Sequence, residues 1–593
     1  MQRVPRVVMA AIVSIGVLAS HGSTPAATNA ATAEPLDPSS LTKFVDPLPH
    51  PLAAEPTSVS SSVTEYTLTA RQFDQRLHRD MPADTRVIGF DDGSGRPGSG
   101  GYPGPTIEAT RGRPIAVTWR NALPSTPLLP IDPSIMGAAD HVPTAISPHL
   151  HGGNVPEGVD GGPDRWFEPG SERTYAYPNA QQAATLWYHD HAIGITRLNV
   201  YEGLAGFYLL RDNNEKRAKL PEGAFEIPLV IQDRSFTSEG QLAYPTDWQC
   251  HFFGDTALVN GKVWPYLDIE PRRYRFRILN GSNTRSYSLS LFESDAAGTF
   301  GPGAALGPEF VQVGTDGGLL AAPVTVPRKL TLGAGERADV VVDFSALAGQ
   351  SILLRNEAVG GGVMGDGGTG GGGMDGAMTP CGTAGEPMGG SSLPDIMLFN
   401  VTKPLSSRDT SQVPASLNVI ERPNPGKAAA TRDFVLSMDM TGMMGGSGMT
   451  NSMADMMKLT INGKGYHDPV TEFPVRGTSE VWRFINATPG THPMHVHLVQ
   501  FQILDRQPFA RDAMGRPIYD AGGKLVLTGA ARPPEANEAG WKDTVRTTPG
   551  EVTRVIMRFD SYTGTYVLHC HILEHEEHDM MRPFTVVSKK DAP

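Results

Sequence analysis

A histidine-rich segment near the C-terminus, residues 566–584, constrains the fold and chemistry of this 593-residue chain more than any other stretch. Its candidate metal ligands are His569, Cys570, His571, His575 and Met580. Thiolate, imidazole and thioether are soft ligands that favour copper, and a weak axial Met on a His₂Cys site is typical of blue copper. The segment supplies Cys570, His575 and Met580 for such a site but only one of its two histidines. We therefore expect another histidine elsewhere, and a second metal centre for His569 and His571.

Four His-X-His pairs form the second feature. They are His149/His151, His189/His191, His495/His497 and His569/His571. Because residues i and i+2 of a strand project from the same face, each pair presents two imidazoles side by side. A single pair is commonly a surface coincidence. Four pairs predict a cluster of eight metal-binding histidines.

Strand alternation separates the two predicted centres. Cys570 faces away from His569 and His571, so its thiolate is expected to bind one metal while the two imidazoles bind another. His492 lies just ahead of the pair at 495 and 497 and is the candidate for the missing histidine. The backbone on either side of Cys570 then forms a short covalent path between the centres.

The length and composition of the chain favour several β-sandwiches. A chain of 593 residues exceeds what one hydrophobic core supports, so three or four domains are expected. Short Val- and Thr-rich segments are separated by many turn residues, with 66 Gly and 50 Pro in total, which favours strands over helices. The formal net charge of −13 argues against nucleic acid or an anionic membrane as a partner.

A short phrase occurs three times at domain-sized spacing. It reads Val-Thr-Trp-Arg-Asn-Ala at 117–122, Arg-Phe-Arg-Ile-Leu-Asn-Gly at 275–281 and Val-Trp-Arg-Phe-Ile-Asn-Ala at 481–487. Its aligned asparagines, separated by 159 and 206 residues, are Asn121, Asn280 and Asn486. Solenoid repeats have periods of about 20–50 residues, so this spacing predicts duplicated domains instead.

The repeats divide the chain into three predicted domains and two interruptions. The domains span residues 60–215, 222–402 and 430–593. The His-X-His pairs fall in the first and third, so the second is interpreted as a spacer. A Gly/Met-rich loop at 359–393 interrupts the second domain, and a Met-rich segment at 438–457 interrupts the third. Gly-rich sequence buries too little surface to hold a core, so both are expected to be mobile loops.

The N-terminus has the features of an export signal. Residues 1–30 contain an apolar run from Val7 to Ala19 after two arginines, and this run is too short to span a bilayer. We interpret it as a cleaved signal peptide, with a retained anchor as the alternative, and the protein as extracellular, periplasmic or cell-surface. Residues 31–59 are expected to form a flexible leader. No later apolar stretch is long enough for an integral membrane span.

Three cysteines occur, at positions 250, 381 and 570. If Cys570 is a metal ligand, Cys250 and Cys381 remain as an even pair, and export to an oxidising compartment favours a disulfide between them. Two free buried thiols are the alternative, and the sequence does not decide between these readings.

The ligand blocks closely resemble those of multicopper oxidases. The text around them reads His-Leu-His-Gly-Gly from 149, Trp-Tyr-His-Asp-His-Ala from 187, Gly-Lys-Val-Trp-Pro-Tyr-Leu from 261 and His-Ile-Leu-Glu-His-Glu from 571. It is most similar to the bacterial spore-coat laccase and bilirubin oxidase branch. The resemblance implies an all-β fold of three cupredoxin-like Greek-key β-sandwich domains. It also implies four copper ions and an oxidase that couples one-electron oxidation of a small reducing substrate to reduction of dioxygen to water.

The resemblance implies a role for each ligand. The type 1 copper ligands would be His492, Cys570 and His575, with Met580 axial. The type 2 ligands would be His149 and His495. The type 3 ligands would be His151, His189, His191, His497, His569 and His571. Asp160 and Glu576 match the carboxylates that deliver protons in this family, and for each the alternative is a solvated acid or a hydrogen-bonding partner of a ligand.

The reducing substrate is the least constrained part of this interpretation. Resemblance to the laccase and bilirubin oxidase branch favours phenols, aromatic amines or bilirubin-type molecules, oxidised near His492. Eight methionines in residues 438–457 favour the alternative of a cuprous oxidase for copper tolerance, because thioethers bind Cu(I). A low-complexity loop that binds nothing specific is the other reading of that segment. A structural coat or copper-sequestering protein is a second alternative function, and the oligomeric state is not predicted.

Overall fold

The computed structural model describes residues 33–301, 305–358, 393–439 and 457–592. Within these ranges the chain is almost entirely β, which confirms the predicted fold class. The predicted signal peptide, Cys381 and most of the two predicted interruptions lie outside the described residues. The described strands form six sheets, which pair into three units along the chain.

The first unit, residues 58–211, is a sandwich of two sheets. Its strands are β1 Ser58–Val59, β2 Thr64–Gln75, β3 Thr85–Asp91, β4 Gly100–Gly101, β5 Ile107–Thr110, β6 Ile115–Asn121, β7 Pro148–His151, β8 Glu172–Tyr177, β9 Ala184–Asp190 and β10 Ala205–Arg211. One sheet has the order β4-β3-β2-β6-β8 with β1 paired to β2, and the other has the order β5-β10-β9-β7. Leu68 and Val117 of the first sheet share a core with Leu186 and Tyr208 of the second.

The middle unit, residues 226–400, repeats this two-sheet arrangement. Its strands are β11 Glu226–Phe236, β12 Leu242–Ala243, β13 Thr256–Val259, β14 Lys262–Val263, β15 Tyr266–Asp268, β16 Arg273–Asn280, β17 Tyr287–Ser294, β18 Phe310–Thr315, β19 Gly318–Val326, β20 Leu330–Leu332, β21 Arg337–Asp343, β22 Ser351–Asn356 and β23 Asp395–Asn400. The sheet orders are β14-β13-β11-β16-β21-β18-β19, with β12 paired to β11, and β15-β23-β22-β17-β20. Ile278 and Val340 pack with Leu289 and Leu353 between them.

The third unit, residues 430–586, has the same construction. Its strands are β24 Ala430–Asp439, β25 Lys458–Ile461, β26 Thr478–Asn486, β27 His492–Val496, β28 Phe501–Pro508, β29 Thr544–Thr547, β30 Glu551–Phe559, β31 Gly564–Cys570 and β32 Met581–Val586. The sheet orders are β25-β24-β26-β30-β28 and β29-β27-β31-β32. Phe484 and Val555 of one sheet share a core with Met494 and Leu568 of the other.

One structural element recurs in all three units. β2 runs parallel to β6, β11 to β16 and β24 to β26, and the second strand of each pair ends at Asn121, Asn280 or Asn486. Each of these buried amides donates from Nδ2 to two backbone carbonyls and accepts at Oδ1 from the N–H two residues later. A side chain with two donors and an acceptor can close the strand end in this way, which explains the repeated phrase.

The segment before the first unit corrects one prediction. Residues 31–59 were expected to be a flexible leader, but Leu41, Phe44 and Leu48 are buried in the core of the middle unit. Phe44 N–H donates to the Trp264 carbonyl at 2.9 Å, and Leu48 N–H donates to the Tyr266 carbonyl at 2.7 Å. Apolar burial combined with edge pairing therefore holds the described part of this segment on the fold.

Three short α-helices occur in the described ranges. They are α1 Thr196–Glu202, α2 Asn213–Ala218 and α3 Leu573–Glu576. In the same ranges, no helix has the length and apolar content needed to cross a membrane. The helices instead connect strands, and α1 and α3 flank the histidine motifs of the first and third units.

Candidate metal centres

Strand pairing brings the predicted histidines together. In the first unit β7 pairs with β9 so that His149 lies opposite His189. In the third unit β27 pairs with β31 so that His495 lies opposite His569. The two sheets then meet, and their imidazoles stack across the boundary, with ring centroids 3.9 Å apart for His149 and His497. The eight histidines of the four His-X-His pairs therefore converge on one site.

The cluster contains three groups whose ligand atoms lie within 4.8 Å of one another, and two of these groups share His151. They are His151/His189/His571, His191/His497/His569 and His149/His151/His495. Each group contains residues of the first and third units, and all eight side chains are buried. The site is thus assembled from two units and exists only when they are in contact.

In several histidines of the cluster, one ring nitrogen is held by the protein. His149 Nδ1 lies 2.6 Å from the Asp160 carbonyl, and His189 Nδ1 lies 2.8 Å from the Asp190 carbonyl. Their Nε2 atoms have no hydrogen-bond partner among the described residues. His151 is reversed, because its Nε2 lies 3.1 Å from Asp543 Oδ1 and its Nδ1 is the nitrogen left without such a partner. Buried nitrogens left in this way fit metal coordination.

Burial also sets the protonation state of these imidazoles. Reinforced in several cases by neighbouring histidines, it lowers the pKa of His149, His151, His189, His191, His495, His497 and His571, and for His189 the value falls to about 3. Neutral imidazole is the form that binds metal. The cluster therefore presents its ligands ready for copper at neutral pH.

A second candidate centre lies beside the cluster. Cys570 Sγ is 3.4 Å from His492 Nδ1 and 3.6 Å from His575 Nδ1, and the two nitrogens are 3.2 Å apart. Burial raises the pKa of the Cys570 thiol well above its ordinary value, so metal binding must release its proton. Met580 is fully buried in the same core, and its carbonyl accepts from Cys570 N–H at 2.9 Å. These four residues fit the predicted blue-copper ligand set.

Strand alternation at β31 has the predicted consequence. Cys570 points into the core of the third unit toward His492 and His575, whereas His569 and His571 point into the eight-histidine cluster. His492 Nε2 is covered by Thr488 Oγ1 at 2.6 Å. The predicted substrate approach near His492 is therefore covered in this structure. On the His575 side of the centre, the half-buried His251 lies beside His575, with their ring centroids 4.9 Å apart.

Cys250 lies against the same histidine. Its Sγ is 3.8 Å from His575 Nε2 and is buried. Its predicted partner, Cys381, lies outside the described residues, so the disulfide between them stays a prediction.

The helix α3, which carries His575, is held by the middle unit. Glu574 accepts hydrogen bonds from Tyr244 Oη and Thr284 Oγ1, both at 2.6 Å, and its carbonyl accepts from Trp248 Nε1 at 2.8 Å. Buried carboxylates need such donors. Sequence reasoning did not single out these contacts, because their partners lie more than 280 residues away.

Both predicted proton-delivery residues contact the cluster. Asp160 Oδ2 accepts from His497 Nδ1 at 2.8 Å. Burial, reinforced by Glu157, raises the pKa of Asp160 well above its ordinary value. Glu576 lies 3.2 Å from His191 Nδ1 and 3.0 Å from His569 Nδ1. Burial alone would raise the pKa of Glu576, but these histidines outweigh it and lower the pKa to about 2.

Comparison with known proteins gives a consistent result. The multicopper oxidase family profiles match residues 135–215 and 438–590. The chain is 41% identical to a laccase of Bacillus subtilis and 40% identical to one of Bacillus stratosphericus, each alignment covering 92% of this chain and 99% of the relative. The crystal structure of the McoA multicopper oxidase of Aquifex aeolicus superposes with a TM-score of 0.68 at 27% identity, covering 92% of this chain and 100% of that one.

Proposed function

Since the chain belongs to the multicopper oxidase family, whose members bind four copper ions and use oxygen as electron acceptor, we propose that it is a laccase-like enzyme. In this proposal it oxidises phenols, aromatic amines or bilirubin-type molecules one electron at a time and reduces dioxygen to water. Relatives named laccase at 41% and 40% identity over most of the chain support this choice.

The proposed ligand assignment follows the observed groups. Type 1 copper takes His492, Cys570, His575 and axial Met580. Type 2 copper takes His149 and His495. The type 3 pair takes His151/His189/His571 and His191/His497/His569, which are two of the observed groups. The division between type 2 and type 3 ligands follows the resemblance to the family.

One observation carries the proposal. Cys570 contacts His492 and His575, while the residues on either side of it, His569 and His571, belong to the cluster. His569 Nδ1 also lies 3.1 Å from the Cys570 carbonyl, so a hydrogen-bonded route runs beside the covalent one. Copper, when bound, supplies one-electron transfer at the cysteine centre and dioxygen reduction at the cluster. The chain supplies the short connection between these two chemistries.

The two carboxyl groups suit different proton-handling roles. Burial raises the pKa of Asp160 well above its ordinary value, which favours the protonated form, and since Oδ2 lies 2.8 Å from His497 Nδ1, we place the proton on Oδ1. Glu576 is ionised, because its pKa is about 2, and its carboxylate lies 3.2 Å from His191 Nδ1 and 3.0 Å from His569 Nδ1. We propose that Asp160 donates to the oxygen-reducing site and that Glu576 orients two imidazoles and relays protons.

We also propose that the protein is exported. Export, with residues 1–30 as a signal peptide, rests on the N-terminal sequence. The cuprous oxidase and the coat or copper-sequestering protein are the alternatives, and the Met-rich segment that motivates the first lies largely outside the described residues. Substrate assays therefore have to decide among them.

One assay series tests the proposed substrate class. Steady-state oxidation of a phenol, bilirubin and Cu(I) is measured for the copper-loaded chain and for a variant whose residues 440–456 are replaced by a short Gly/Ser linker. We expect phenol or bilirubin turnover to survive the replacement. If the wild type oxidises only Cu(I), and the variant loses this activity, the protein is a cuprous oxidase. No turnover with any donor would favour the sequestering protein.

Two substitutions test the type 1 assignment. Cys570→Ser is expected to abolish the blue thiolate-to-copper absorption, and persistence of that absorption would sink the assignment. Met580→Leu is expected to raise the reduction potential, because an axial thioether stabilises the oxidised site. Met581→Leu is the matched control, since Met581 is buried in a different cluster with Ile193 and Tyr466.

A further inference from the structure

The guanidinium of Arg337, at the start of β21 in the middle unit, has an acceptor for each of its five N–H bonds. It pairs with Asp543 through two bonds, Nη1 to Oδ1 at 2.7 Å and Nη2 to Oδ2 at 2.6 Å. Nε donates to the Thr185 carbonyl at 2.9 Å, and the remaining N–H bonds reach the carbonyls of Gly335 and Asp316 at 3.0 and 3.2 Å. The fully buried side chain thus joins all three units.

Asp543 in turn contacts two histidines of the cluster. Its Oδ1 lies 3.1 Å from His151 Nε2, and its backbone carbonyl lies 2.8 Å from His495 Nδ1. The rings of His151 and His495 stack at 3.7 Å. His151 is the histidine whose orientation is reversed, so its inward Nδ1 depends on what holds Nε2.

We infer that Arg337 is a positioning residue for the cluster, which fixes His151 by locking the carboxylate of Asp543. This inference rests on the proposed copper function of the cluster. A planar guanidinium holds both carboxylate oxygens in one orientation, whereas a lysine ammonium is a point charge that does not fix the plane. The middle unit therefore does more than space the other two, because it orients a ligand of a centre to which it contributes no histidine.

Two glycines show how closely this arrangement is packed. At Gly152, whose φ is +83°, a Cβ would lie 2.5 Å from Asp543 Oδ2 and 2.9 Å from Arg337 Nη2. At Gly335, whose φ is +79°, a Cβ would lie 2.7 Å from Cδ2 of His571. Both positions require a backbone conformation and a clearance that only glycine offers readily. The ion pair and the loop before β21 are thus fitted against the cluster from the middle unit.

Arg337→Lys and Asp543→Asn test the inference, with Arg275→Lys as the matched control. Arg275 also forms a buried two-bond pair, with Asp339 at 2.8 and 2.6 Å, but the contacts of this pair do not include a cluster histidine. Loss of a residue that orients a metal ligand typically costs about 10- to 100-fold in metal affinity. After equal exposure to a chelator, we expect both test variants to lose type 2 and type 3 copper while keeping the blue type 1 absorption. Copper per chain, electron paramagnetic resonance and near-ultraviolet absorption measure this directly.

The outcomes separate the inference from the proposed function. Four copper ions and unchanged type 2 and type 3 signals in both test variants would overturn the inference. So would an equal loss in Arg275→Lys, because the effect would then be a general one of breaking a buried pair. If Arg337→Lys does not fold, the near-isosteric Asp543→Asn decides, with the type 1 absorption reporting its folding. Absence of type 2 and type 3 signals from the copper-loaded wild type would refute the proposed function itself.

Discussion

The carboxyl of Glu202, the last residue of α1, offers a quantitative test of buried electrostatics away from the metal centres. Its side chain is buried, and Oε1 accepts from Leu129 N–H at 3.0 Å. Burial raises the pKa of Glu202 from 4.5 to about 8, although the hydrogen bond opposes this shift. Glu202→Gln keeps the size and the acceptor but removes the ionisable group. The substitution therefore isolates the cost of ionising a carboxyl in this environment.

The sign and size of the effect follow from proton binding. The folded-state pKa of Glu202 is about 8 against 4.5 for the exposed group, so between these values the folded chain binds more protons than the unfolded chain. The free energy of unfolding then falls as pH rises through this window, and the full loss is reached above it. At about 1.4 kcal/mol per pH unit, the loss is at most about 5 kcal/mol.

The assay compares denaturant unfolding of wild type and Glu202→Gln near the lower end of this window, at about pH 5, and above the window, at about pH 9. We expect the variant to gain stability relative to wild type at the higher pH, by one to several kcal/mol. Glu168→Gln, at an exposed position, serves as the control for a change of net charge. A difference between wild type and Glu202→Gln that is the same at both pH values would refute the reasoning.

Three further predictions concern the metal centres and the repeated fold. Thr488→Val removes the hydroxyl 2.6 Å from His492 Nε2, and the loss of this contact makes the imidazole a weaker electron donor to copper. The type 1 potential should therefore rise in a redox titration of the blue absorption, and an unchanged or lower potential would contradict this. Asn280→Ala removes three buried hydrogen bonds and should lower the free energy of unfolding by about 2–4 kcal/mol. An unchanged free energy of unfolding in a denaturant titration would contradict this and would mean that water replaces the amide. Removal of copper should lower the thermal unfolding temperature, because metal that binds only the folded chain stabilises it, and readdition of copper should restore it; calorimetry of both forms checks this.

The grouping of the candidate ligand residues was predictable because these residues obey local rules. A His-X-His pair on a strand needs only the two-residue period to present both rings on one face, and the same period turns Cys570 away from His569 and His571. The repeated asparagines were also visible, since each ends a strand of the same topology. The order of the three units and the convergence of the four pairs follow from these signals once duplication is recognised.

The residues that hold the ligands were not predictable, for a physical reason. Arg337 and Asp543 are 206 residues apart in the chain. The sequence around each of them looks the same as the sequence around an ordinary exposed charged residue. The segment around Leu41 and Leu48 was misread for a related reason, because its composition resembles a linker while its apolar residues are spaced to cover the middle unit. Long-range complementarity of this kind leaves no signature in one sequence.

The contribution of the middle unit can be argued from both of its contacts. The first and third units already touch directly, since His149 stacks on His497 at 3.9 Å, so a spacer is not needed to bring the pairs together. The middle unit instead binds Glu574, next to the proposed type 1 ligand His575, through Tyr244 and Thr284, and on our proposal it orients the cluster through Arg337. Both candidate centres are therefore braced by the middle unit, to which the proposed assignment gives no copper ligand. A change in the middle unit should consequently be detectable at both centres, whereas the sequence motifs alone assign it to neither.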